Sequence, residues 1–157
     1  MTSISRRAAR GFTLVELMVV MALIAIAVAV GSLALRDPAA TRLEREAVRL
    51  SALLESARAE ARSLGLPVRW QPLPLDPQAP QGDQFRFIGL PSSTQMPTHW
   101  LGEGVVAQVI GATAVRLGPE ATIGSQRIVL RLDQQSVVLS TDGIGPFVIT
   151  GDAESVR

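Results

Sequence analysis

The sequence predicts an α+β fold: a long N-terminal hydrophobic α-helix, transmembrane and continuing beyond the membrane, packed on a C-terminal antiparallel β-sheet domain. Three observations predict it. Leu17 to Leu35 run for 19 residues without a charge. From Leu43 to Leu64 the apolar residues recur in alternating steps of four and three, the spacing of one helical face. Beyond Pro67 the texture changes to short alternating runs punctuated by Gly and Pro, and a helix followed by consecutive short strands is an α+β pattern.

The first element extends back to Phe12, giving 24 residues whose one ionisable group is Glu16. At about 1.5 Å per residue it reaches roughly 36 Å, enough to cross a hydrocarbon core of about 30 Å. Arg6, Arg7 and Arg10 precede it with no acidic residue before Glu16. Positive flanks stay cytoplasmic, so the N-terminus is expected inside and the C-terminal bulk outside.

Three plain readings compete for this segment. A cleaved signal peptide shares the basic start, and Ala25-Ile26-Ala27 imitates its cleavage site, yet the apolar run continues well past it. Arg6-Arg7 imitates a twin-arginine signal, but Ala9 stands where a bulky apolar residue is needed. A simple single-pass anchor is the third. None accounts for Glu16, because a carboxylate costs roughly 2.5–3.5 kcal/mol at mid-membrane and nothing later in the segment neutralises it. Its partner must come from another molecule, or be made by cutting the chain.

Arg10-Gly11-Phe12-Thr13-Leu14-Val15-Glu16-Leu17 resembles the processing site of type IV pilins and type II secretion pseudopilins. In that family a membrane peptidase cuts after the glycine and methylates the new N-terminal phenylalanine. The resemblance implies cleavage between Gly11 and Phe12, an N-methylated amine on Phe12, and a role for Glu16 in filament assembly. There the glutamate neutralises the N-terminal amine of a neighbouring subunit. A carboxylate and an ammonium attract strongly in low dielectric, and the attraction offsets desolvation only when both are present. The bland alternatives are a flexible joint at Gly11 and a bond from Thr13 back to a helix carbonyl.

Pro38 is expected to kink or interrupt the helix, with Thr41 capping a second stretch and Glu44 completing a capping box. The stripe Leu43, Ala47, Leu50, Leu54, Ala57, Ala61 and Leu64 leaves Arg42, Arg45, Glu46, Arg49, Arg58 and Arg62 largely off it, and the arginines read as a solvated face. This helix either packs on its own domain's sheet, the favoured reading, or forms a coiled coil. Gly65 and Pro67 end it. Strands are expected at Phe85–Ile88, Val105–Ile110, Ala114–Leu117, Gln126–Asp133, Val137–Ser140 and Phe147–Thr150, with loops over Leu73–Gly82 and Pro91–Thr98.

Composition argues against an enzyme. The 157 residues include no Cys or Tyr and one His, so thiolate chemistry is absent and the acid–base inventory is nearly empty. All 15 basic residues are Arg, balanced by 14 acidic ones. His99 with Asp83 and Ser92 or Ser93 imitates a hydrolase triad, but no nucleophile-elbow motif accompanies it. Asp76, Asp83, Asp133, Asp142 and Asp152 are scattered among turns, where Asp is common without any metal, although some major pseudopilins bind calcium. No cofactor is expected. Removing Arg6, Arg7 and Arg10 takes the formal charge from +1 to −2, a poor match to phosphates, so no nucleic acid is expected; Arg127, Arg131 and Arg157 form the one candidate patch.

Within the family the chain is most similar to the H-type minor pseudopilin of type II secretion. Gly65-Leu66-Pro67-Val68 after the long helix and the ending Phe147-Val148-Ile149-Thr150-Gly151-Asp152 carry that likeness. Many type IV pilins close their C-terminal region with a disulfide, which this chain lacks. DNA-binding relatives end in a Gly-Arg-x-Arg tail, where this one has Gly151-Asp152-Ala153-Glu154. The resemblance implies a leader over 1–11, a transmembrane and assembly helix over 12–35, its amphipathic periplasmic continuation over 36–66, and a β-rich periplasmic domain over 67–157. It implies an inner-membrane subunit assembled near the tip of a short filament that supports export of folded proteins. Its partners would be prepilin peptidase and other pseudopilins. A type IV pilus minor pilin serving pilus assembly or DNA uptake is the alternative; a membrane-anchored binding domain or enzyme is a third.

Overall fold

Thr13 opens the first helix, α1 (Leu14–Ala34), by accepting the Glu16 N–H on its hydroxyl at 3.2 Å while its carbonyl takes the Leu17 N–H at 3.1 Å. That is N-cap geometry, one turn earlier than a bond back to a helix carbonyl would place the hydroxyl. The structure, a computed structural model, describes residues 13–34, 38–74 and 82–151. It divides into two units, Met1–Asp37 and Pro38–Arg157.

In the second unit α2 (Pro38–Leu64) begins at Pro38. Proline lacks the N–H that a first helical residue leaves unbonded, and its fixed φ suits that position. Thr41 therefore lies inside the helix, correcting the expectation that it caps one. Gly65 ends α2 at φ +66, and the Leu66 N–H reaches back to the Ala61 carbonyl at 2.9 Å, closing a Schellman turn.

Seven strands follow: β1 (Arg69–Pro72), β2 (Phe85–Ile88), β3 (Val106–Val109), β4 (Val115–Arg116), β5 (Gln126–Leu132), β6 (Gln135–Thr141) and β7 (Val148–Gly151). They form two antiparallel sheets, ordered β2-β1-β4 and β3-β5-β6-β7. Six were expected from the sequence within a residue or two. β1 was not, being four residues of mixed polarity that end in Pro72.

The α2 stripe from Leu43 to Ala61 is fully buried, and α2 packs on β5, β6 and β7. Ile128, Leu130, Leu132, Val137 and Leu139 supply the sheet side of that core. Arg127 and Arg131 point from the opposite face of β5, as its alternation requires. An aromatic cluster fills the space by the three-stranded sheet: Phe85 lies 5.9 Å from Trp70, 6.3 Å from Phe87 and 4.7 Å from Trp100 between ring centroids. The expected α+β architecture is observed, with α2 as the helix packed on sheet.

Candidate functional site

At the N-terminus, Gly11 and Phe12 lie outside the described residues, and Glu16 stands in the first turn of α1. Thr13 and Glu16 have the T-x-x-E spacing of a capping box, and a carboxylate there also suits the positive end of the helix dipole. Glu16 thus occupies a capping-box position, a feature separate from any role in assembly. From Thr13 to Val28 every side chain of α1 is exposed, Leu14 by 74% and Ile26 by 60% among them, so the helix is apolar all round with no single stripe. The side chains of α1 are described as far as Val28, and among the described residues no helix is long and apolar enough to cross a membrane. The expected span Phe12–Leu35 reaches beyond them at both ends.

The enzyme-like constellation is loose. Asp83 and His99 approach to 4.0 Å with both side chains about half exposed, and Thr98 Oγ1 lies 2.9 Å from His99 Nδ1. Ser92 and Ser93 are exposed in the turn from Pro91 to Thr94. Among the described residues no group of three His, Asp or Glu is placed to hold a metal ion. Asp76, Asp152 and Arg157 lie outside them.

The polar side chains that organise the domain are on α2, and the sequence reading missed them. Glu46 is buried, and its Oε1 accepts the N–H groups of Leu101 at 2.6 Å and Gly102 at 2.8 Å. Its other oxygen lies 3.6 Å from the Arg49 guanidinium, which donates to the His99 carbonyl at 3.0 Å. Ser51 donates to the Phe147 carbonyl at 2.5 Å, and Glu55 accepts the Phe147 N–H at 3.1 Å.

Arg58 is 1% exposed, which corrects its placement on the solvated face. Its guanidinium donates to the carbonyls of Gly145 at 2.7 Å, Gly143 at 2.8 Å, Ile144 at 3.1 Å and Ala121 at 3.2 Å. Glu55 lies 3.8 Å away. The loop it grips is also fixed from within. Asp142 Oδ1 accepts the N–H groups of Gly145 at 2.7 Å and Ile144 at 2.9 Å, which hold its carboxyl below the ordinary carboxylate value. Gly143, at φ +95, lies so close to Gly124 that any Cβ would collide with the Gly124 backbone. Both Glu46 and Arg58 were detectable by spacing: each sits three or four residues from core leucines and alanines on either side.

A family model, the prokaryotic N-terminal methylation motif, matches residues 6–32. No curated protein matches the sequence. The fold is similar to that of the type IV minor pilin FimU of Pseudomonas aeruginosa, with a TM-score of 0.51 at 16% identity, covering 71% of this chain and 90% of that one. The chain carries a prepilin-type N-terminal methylation motif and a pilin-like fold. Its methylation motif ends within α1, so the pilin-like domain after Pro38 is recognised by fold alone. In that domain Glu46 and Arg58 are structural groups, each engaging backbone of a loop remote in sequence.

Proposed function

We propose that this pilin-like chain is a minor pseudopilin, a structural subunit near the tip of a type II secretion pseudopilus, supporting export of folded proteins across the outer membrane. The observation that carries this reading is the methylation motif over residues 6–32, with Gly11, Phe12 and Glu16 in the prepilin positions. Residues 1–11 are then the leader that prepilin peptidase removes, and Phe12 is the methylated N-terminus. Residues 12–35 anchor the chain in the inner membrane and enter the filament, 36–66 continue into the periplasm, and 67–157 form the periplasmic domain. The exposed apolar surface of α1 from Leu14 to Val28 supports it, because such a surface needs burial in lipid or against other helices. Glu16 neutralises the amine of a neighbouring pilin-like subunit on docking. A filament role needs no catalytic group, and the loose Asp83–His99 pair has none assigned to it.

The absence of cysteine favours the secretion system. A second reading, a minor pilin of a type IV pilus, is favoured by the fold likeness to FimU. Deleting the gene separates them. Loss of exoproteins from the medium with pili intact supports the pseudopilus; loss of pili with secretion intact supports the pilus.

A further inference from the structure

The three-stranded sheet turns Trp70, Phe85 and Val115 inward and, by the alternation of its strands, Arg69, Arg86, Ile88 and Arg116 outward. Its register sets Arg69, on the middle strand, directly opposite Ile88 of β2 on one side and Arg116 of β4 on the other. The Gln126 side chain accepts the Arg116 N–H at 2.7 Å and donates to the Arg116 carbonyl at 2.9 Å. Arg69 and Arg116 therefore form the closer, non-hydrogen-bonded kind of antiparallel pair, about 4.5 Å between Cα atoms. Like charges directly opposite one another destabilise a sheet. Folding alone does not call for this pair.

The charge on the face is unbalanced. Arg86 donates to a neutral partner, Gln71 Oε1, at 3.0 and 3.3 Å. Glu120 lies 2.9 Å from Arg116, both about half exposed. Among the described residues it is the one carboxylate within 4.0 Å of any of the three guanidinium groups. The Arg69 side chain has no hydrogen-bond or ion-pair partner among those residues. Three positive charges against one leave an excess of two, beside an isoleucine 42% exposed.

A second copy applied through the same face would set arginine against arginine, so the face selects a partner unlike itself. The aromatic rings of Trp70 and Phe85 are buried, so these two offer no platform on which bases could stack. Guanidinium forks bind carboxylates through two parallel bonds, and arginine is enriched at protein interfaces. We propose that the outer face of β2-β1-β4 docks an acidic surface of a different protein chain. A pair of its carboxylates spans Arg69 and Arg116, and an apolar side chain covers Ile88. The proposal rests on the filament reading only in taking that chain to be a neighbouring subunit of another kind.

Arg69→Glu is the informative variant, because it turns the like pair into an opposite one. The urea midpoint of the full chain in detergent is expected to stay level or rise, while docking weakens. A benzophenone amino acid replacing Ile88 in the producing bacterium is expected to crosslink, on illumination, to one other protein, at a site beside carboxylates located by mass spectrometry. Arg69→Glu lowers that product at least about tenfold, as facing like charges require, and Arg69→Gln lowers it about two- to fivefold. Exchanging the partner's carboxylates for arginine restores the product with Arg69→Glu and lowers it when Arg69 is kept. Equal yield from Arg69→Glu overturns the proposal, and so does a lowered urea midpoint, which would assign the arginines to the fold. No product, a crosslinked site without carboxylates, or a product with lipid, nucleic acid or a second copy of this chain overturns it too. If deleting the gene abolishes secretion and Arg69→Glu secretes normally, the docking face falls and the filament reading stands. A rescued crosslink to a protein outside any filament keeps the face and removes that reading.

Discussion

The Arg58 guanidinium donates to the Gly143 carbonyl at 2.8 Å, inside the domain, and the same carbonyl accepts the Ile123 N–H at 3.1 Å. A charge on α2 thereby ties together two loops that also touch through Gly124 and Gly143. Arg58→Ala removes one donor from each of four loop carbonyls, of which Gly143 keeps the Ile123 N–H and Gly145 the Thr141 hydroxyl, and is expected to cost roughly 1–3 kcal/mol. Arg58→Lys keeps the charge but not the planar fan of donors and recovers about half at best. Urea titration followed by circular dichroism measures both. An Arg58→Ala protein as stable as the wild type would mean that the loop holds without it.

Asp142 makes the stability of that loop depend on acid. Its folded pKa lies below the ordinary value of 3.8, chiefly through the Gly145 and Ile144 N–H groups. The contribution is therefore complete above the ordinary carboxylate range and is lost as pH falls from there through the lowered folded value. Asp142→Asn keeps an acceptor oxygen and cannot titrate. The stability difference between the two proteins is expected to be constant above about pH 5 and to shrink below about pH 4. A difference that stays constant down to pH 2 would sink this assignment.

Position 16 has two separable features, its place in a capping-box spacing with Thr13 and its charge. Glutamine serves the third position of a capping box as glutamate does, so Glu16→Gln preserves the cap and removes only the charge. If the charge recruits a neighbour's amine, Glu16→Gln inserts and is processed but no longer co-purifies with partner subunits, and Glu16→Leu fails more completely. Thr13→Ala, which removes the hydroxyl cap at a cost of about 1 kcal/mol, is expected to assemble. Normal co-purification and secretion with Glu16→Leu would reduce α1 to an anchor.

Processing is read directly by mass. The mature chain is expected to begin at Phe12 with one added methyl group, and Gly11→Val to accumulate as the uncut form, because valine overfills a site built for glycine. Detection of Met1 or Val28 at the mature N-terminus contradicts this.

His99→Ala is expected to leave assembly and secretion at wild-type levels, since the side chain is half exposed and its partner Asp83 more so. Loss of secretion by a stable, assembled His99→Ala protein would instead point to a binding or catalytic role at that loop.

Periodicity made most of this fold legible. The stripe from Leu43 to Ala61 announced a helix facing a core, and the alternation over β5 placed Ile128, Leu130 and Leu132 inward. What escaped was chemistry that competes with a rule. Thr41 and Glu44 matched a capping box, but Pro38 had already supplied a first helical residue. Arg58 was read as solvated because guanidinium groups avoid burial, and only the carbonyls brought from Ala121 and Gly143–Gly145 make its burial tolerable. The methylation motif was legible because it is local; the Glu46 and Arg58 contacts were not, being separated by 55 and 85 residues along the chain.

The aromatic cluster has an optical consequence. The chain has two Trp and no Tyr, and Trp70 and Trp100 both surround Phe85 beside the three-stranded sheet. Trp70 is fully buried, with its indole N–H lacking an acceptor among the described residues, so its emission should be blue-shifted. Intrinsic fluorescence therefore reports from this one corner of the domain. A dye-free titration monitored at the indole wavelength follows the packing around Phe85 and is blind to α1.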